Sequence, residues 1–178
     1  MPKRARERVM LAIDDEPARI RVPNALWKAR SITPGAKILW CYLRIAQRTR
    51  SQFRFKELRE AIGVCQNSLA DYLKQLESKG WLRVTERRRY KITCWARWKG
   101  QGPSISMDSD ILFDARLPDQ AKWLWGLIAR QAKPFPYELL ERETRFCRET
   151  LVKYLRILSD LGWLQENRSW KNRRVQFK

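Results

Sequence analysis

Residues 53–82 read FRFKELREAIGVCQNSLADYLKQLESKGWL, and this stretch decides the fold. Its pattern is a short helix, a tight turn, a longer helix and the start of a strand. Leu58, Ile62 and Val64 give the apolar positions of the first helix and its exit, and Gly63 supplies a turn position free of Cβ strain. Leu69, Tyr72, Leu73 and Leu76 then recur at helical spacing, so one face of the second helix is buried. Gly80 ends that helix, and Trp81 and Leu82 open the next element.

The stretch occurs twice. Residues 135–164, FPYELLERETRFCRETLVKYLRILSDLGWL, align with it without a gap at an offset of 82. Phe53, Leu58 and Cys65 match Phe135, Leu140 and Cys147; Leu69, Tyr72, Leu73 and Leu76 match Leu151, Tyr154, Leu155 and Leu158; Gly80-Trp81-Leu82 matches Gly162-Trp163-Leu164. Identity at so many structurally meaningful positions marks a tandem repeat. The second copy departs at the turn, with Arg145 where the first has Gly63.

Beyond Leu82 the period changes to two. Leu82, Val84, Tyr90, Ile92 and Cys94 face the core, Arg83, Arg89 and Lys91 face outwards, and Arg87, Arg88 and Arg89 form a hairpin tip. Helix, turn, helix, Gly-Trp-Leu and a basic hairpin arriving in this order resemble the winged helix-turn-helix family. The resemblance implies a mainly α fold with small β-hairpins, an α+β class, built as two tandem winged helix-turn-helix domains. Residues 20–98 would form the first domain, 99–104 a linker and 105–178 the second. Six linker residues reach at most about 20 Å, so the two domains are close neighbours.

Residues 1–19 are polar, with Lys3, Arg4, Arg6 and Arg8 ahead of Asp14, Asp15 and Glu16, and read as a disordered basic arm. IRVPNALW, residues 20–27, reads as a short strand or entry segment that packs on the first domain; its counterpart is Ile105 to Leu112, at an offset of 85. The following TPGAKILWCYLRIAQR places Pro34 in the first turn of a helix and repeats as LPDQAKWLWGLIARQA. Trp40 and Trp125 recur at one helical position, as Trp81 and Trp163 do after the motif helices, which marks all four as core. Trp95, Trp98 and Trp170 have no such match and are read at the interdomain junction, with stacking on bases or sugars as the alternative.

The 38 Lys and Arg against 19 Asp and Glu leave a net charge of +19, which favours a polyanionic partner, nucleic acid ahead of an acidic membrane. No apolar run is long enough to span a bilayer, and MPKRARERV lacks a signal-peptide core, so a cytoplasmic, nucleoid-associated protein is expected. The absence of His, and four Cys without a CxxC pair, argue against zinc and His-based catalysis. No phosphate loop is present, since Pro34-Gly35-Ala36-Lys37 lacks the glycine spacing. No enzyme activity, cofactor or metal is expected.

In the family the second motif helix enters the major groove. Its solvent-facing residues would be Gln66, Asn67, Ser68, Asp71 and Lys74 in the first copy, and Arg148, Glu149, Thr150, Val152, Lys153 and Arg156 in the second. Gln and Asn suit adenine, Arg suits guanine, and Thr or Val meets a thymine methyl. Arg87, Arg88, Arg89 and Lys91 in the first wing, and Arg168, Lys171, Arg173 and Arg174 in the second, would hold phosphates. The expected function is sequence-specific duplex-DNA binding by a transcriptional regulator, a monomer or weak dimer whose direct tandem reads an asymmetric bipartite site. The alternatives are a plasmid or phage replication initiator and an RNA-binding ribonucleoprotein subunit. Replication or transcription proteins are further expected partners.

Overall fold

A computed structural model of the chain describes residues 19–99, 102–129, 135–167 and 174–176. The expected basic arm and most of the second wing tip lie outside them. The fold is mixed α and β with small antiparallel sheets.

One order of eight elements runs twice. The first pass is β1 (Arg19–Pro23), α1 (Asn24–Lys28), α2 (Pro34–Ala46), β2 (Gln52–Arg54), α3 (Phe55–Ile62), α4 (Gln66–Ser78), β3 (Leu82–Arg87) and β4 (Lys91–Ala96). The second is β5 (Ser104–Asp108), α5 (Ser109–Phe113), α6 (Asp119–Ala129), β6 (Phe135–Pro136), α7 (Tyr137–Thr144), α8 (Arg148–Asp160), β7 (Gln165–Asn167) and β8 (Arg174–Gln176). The sheets repeat as well: β2-β4-β3 in the first half and β6-β8-β7 in the second, all antiparallel.

The repeat extends to single hydrogen bonds. The Trp40 indole N–H donates to the Trp81 carbonyl at 3.1 Å, and that of Trp125 to the Trp163 carbonyl at 3.2 Å. Both ring pairs are edge-to-face, at 6.4 and 6.3 Å. Each indole thereby fastens the helix before the motif to the exit of the motif helix, and its N–H finds an acceptor. Leu69, Leu73 and Leu76 of α4 and Leu151, Leu155 and Leu158 of α8 are buried as their spacing requires.

The turn between the paired helices is also the same in both copies, although its residue differs. Gly63 has φ +70° and Arg145 has φ +58°, both left-handed. Their N–H groups bond back to Arg59 and Glu141 in the way of an αL cap, for Arg145 at 2.7 Å and for Gly63 as its helix cap. Glycine adopts this conformation freely and arginine does so at a cost. Arg145→Gly is therefore expected to raise stability by about 0.5–1 kcal/mol, read as a higher urea midpoint at an unchanged m-value. A lower midpoint would mean that the Arg145 side chain contributes more than its backbone costs.

Two expectations are corrected. Tyr90 is 65% exposed, not core: β3 and β4 end at Arg87 and Lys91, so the alternation that buries Ile92 and Cys94 stops before the hairpin tip. The entry strand β1 does lie against α1 and α2 of the first half, and its partner strand is β5, in an antiparallel ribbon running from Arg19↔Asp108 to Pro23↔Ser104. Trp95 and Trp98 do not fill the junction of the halves; they are 45% and 39% exposed, and the Trp98 ring lies 6.4 Å from Trp40. Trp170 lies outside the described residues.

The junction belongs to Trp27 and Trp123. Their indole N–H groups donate to each other's carbonyls, at 3.3 Å from Trp27 and 3.0 Å from Trp123. Gly126 lets α6 approach, because a Cβ there would lie 2.7 Å from Cζ2 of Trp27 and 2.6 Å from Sδ of Met107. Lys37 enters the same cluster with 2% of its surface exposed, donating to the Trp27 carbonyl at 2.7 Å and lying 4.8 Å from the centre of the Trp123 ring. Tyr42 meets Phe113 edge-to-face at 5.8 Å, and Lys28 pairs with Glu143 at 3.4 Å.

Burial pushes the Lys37 pKa down from 10.5 to about 8. Between these values the unfolded chain binds the proton that the folded chain has released, so the Lys37 contribution makes stability rise with pH across this window. Lys37→Met is expected to lack that rise. The wild type should gain on the order of 1–3 kcal/mol relative to the variant between pH 8 and 10.5, measured by urea unfolding. Parallel pH profiles would show that Lys37 is neutralised in both states or solvated in the fold.

Candidate nucleic-acid interface

The exposed side of α4 begins at its N-cap. Cys65 caps with extended backbone, and its thiol lies 3.2 Å from the Ser68 hydroxyl; Cys147 and Thr150 repeat the pair at 3.0 Å ahead of α8. The hydroxyl contact is the largest cause holding each thiol below its ordinary pKa. Ser68 and Thr150 are half-buried and turned towards these thiols. Gln66, Asn67, Asp71 and Lys74 stand exposed on α4, and Arg148, Glu149, Val152, Lys153 and Arg156 on α8.

The two faces differ in charge. Among these residues α8 carries three cations and one carboxylate, whereas α4 carries Lys74 and Asp71 beside the neutral amides of Gln66 and Asn67. The Arg148 guanidinium is oriented by α7, 3.6 Å from Glu141 and 5.8 Å from the centre of the Tyr137 ring. Arg148 keeps over half its side chain in solvent, so this pair costs little to exchange for another acceptor, about 0.2–1 kcal/mol.

The β3–β4 hairpin is anchored to α4. Arg87 pairs with Glu77 in the last turn of the helix at 3.2 Å, and Arg88 pairs with Glu86 of the same strand. A register shift between Val84 and Glu86 breaks the alternation and twists the hairpin towards its tip. Arg89 lies over the Tyr90 ring at 5.1 Å, and half-buried Lys91 reaches Gln52 at 3.5 Å. The hairpin thus brings Arg87, Arg88 and Arg89 to one solvent-facing end, and Tyr90 adds an exposed aromatic ring that alternation alone assigns to the core. Its position directly after three arginines was the available signal.

In the second half β7 and β8 pair from Gln165↔Gln176 to Asn167↔Arg174. Arg168, Lys171 and Arg173 lie outside the described residues, and Arg174 is described by its backbone in β8. Among the described residues no group of His, Cys, Asp and Glu could hold a metal ion, and no helix is long and apolar enough to cross a membrane. No protein-family model matches the chain, and no curated protein sequence matches it.

Proposed function

We propose that the chain is a sequence-specific duplex-DNA-binding protein, built of two winged helix-turn-helix units, that acts as a transcriptional regulator. α4 and α8 read base edges in the major groove. Gln66 and Asn67 are suited to adenine and Arg148 to guanine, while the arginines of the β3–β4 hairpin hold phosphates. The observation that carries this reading is one arrangement made twice. A helix with cysteine at its N-cap and a polar, solvent-facing first half follows a left-handed turn and leads into a β-hairpin, in a chain of net charge +19. The faces of α4 and α8 differ, so each unit prefers its own half of the site.

Selection from randomised duplex DNA at about 150 mM salt tests the reading, because non-specific phosphate binding is weak there. An enriched motif with two dissimilar halves supports it. Failure to enrich any duplex, with tight binding to structured RNA or to every duplex alike, overturns it.

A further inference from the structure

The β1–β5 ribbon is symmetric about its own centre. Residues 20, 21 and 22 correspond in the repeat to 105, 106 and 107. The ribbon pairs Ile20 with Met107, Arg21 with Ser106 and Val22 with Ile105. A half-turn about the Arg21–Ser106 pair exchanges the first and last of these pairs and returns the middle one to itself. α2 and α6, which are also repeat equivalents, pack against each other. Two different elements, each packed on its own counterpart, make the contact between the halves isologous, as in a two-fold dimer. A head-to-tail tandem would instead set each element against a different surface of the next repeat.

We infer that the chain reads DNA as a covalent dimer, recognising two half-sites of unlike sequence in inverted orientation. The inference rests on the proposed roles of α4 and α8. A two-fold keeps both helices at one height along its axis and reverses their direction across it. Duplex DNA has local two-folds perpendicular to its own axis, and two-fold proteins align with one of them, so their half-sites run with opposite polarity. The direct tandem expected from sequence is replaced by an inverted pair. The inversion is hidden in the site itself, because Gln66, Asn67 and Asp71 select other bases than Arg148, Glu149 and Lys153.

Grafting one face onto the other makes the inversion visible. A full-length variant with Gln66→Arg, Asn67→Glu, Ser68→Thr, Ala70→Val, Asp71→Lys and Lys74→Arg carries the α8 face on both helices. Selection from randomised duplex DNA should then return a palindrome of one half-motif. The reciprocal graft, Arg148→Gln, Glu149→Asn, Thr150→Ser, Val152→Ala, Lys153→Asp and Arg156→Lys, carries the α4 face on both helices and should return a palindrome of the other half-motif. It keeps the test in force if the first graft fails to fold. From either graft, two copies of one half-motif in direct orientation, or a single half-motif, would overturn the inverted arrangement while leaving DNA reading intact. No enrichment by the wild type would overturn the DNA reading, and the inversion with it.

Discussion

Trp27→Ala is expected to lower stability by about 3–5 kcal/mol, the range for truncating a fully buried tryptophan. The ring is fully buried at the seam of the two halves, against the position where Gly126 carries no side chain. Truncation opens a cavity that α6 cannot fill without moving, and it removes the N–H that reaches the Trp123 carbonyl. Lys37 loses a wall of its cluster, although the Trp27 carbonyl that accepts from it remains. Urea unfolding of the variant should show a midpoint shift of this size. If the seam alone gives way, the transition should split, because each half keeps its own Trp–Trp fastening. Trp95→Ala provides the comparison: its ring is 45% exposed on β4, and its loss should cost less than about 1 kcal/mol. Equal effects of the two substitutions would place the seam's stability elsewhere.

Why Trp27 was hidden in the sequence and Trp81 was not is a matter of where each contact is specified. The motif helices, their caps and the Gly-Trp-Leu exit are local, and their spacing carries the information. Duplication then doubles each signal, at an offset of 82 for Trp81 and Trp163 and of 85 for Trp40 and Trp125; Trp40 and Trp81 are buried as expected, and Trp125 and Trp163 pack half-buried against the core. The seam is non-local. IRVPNALW states that a strand is present but not which edge it joins, and here the partner is its own counterpart 85 residues on. A clue did exist in the differences between copies. Trp123 stands where the first copy has Ile38, and Gly126 where it has Cys41, an exchange of bulk expected where two equivalent helices meet asymmetrically. The candidate site was legible in kind, since the exposed face of a helix follows from its buried face. Its side-chain pairings were not, because Arg87 with Glu77 and Arg148 with Glu141 depend on how the hairpin and the turn lie.

Replacing Arg87, Arg88 and Arg89 together with Ala is expected to weaken binding to every duplex and to flatten its salt dependence. In the free protein these arginines hold Glu77, Glu86 and the Tyr90 ring in contacts that remain open to water. Exposed pairs of this kind contribute about 0.2–1 kcal/mol each, so the fold survives the change and the free arginines exchange carboxylate for phosphate at small cost. Each phosphate contact adds about 0.9 to the slope of log K against log salt, and three lost contacts remove roughly 2.7. Between 50 and 200 mM salt the wild type should therefore lose about fortyfold more affinity than the variant. The selected motif should stay the same, because the hairpin holds the backbone while α4 and α8 read the bases. An unchanged slope would remove the β3–β4 hairpin from the interface. A changed motif at an unchanged slope would make the hairpin a base reader, with Tyr90 and Arg89 at its tip as the side chains to replace next.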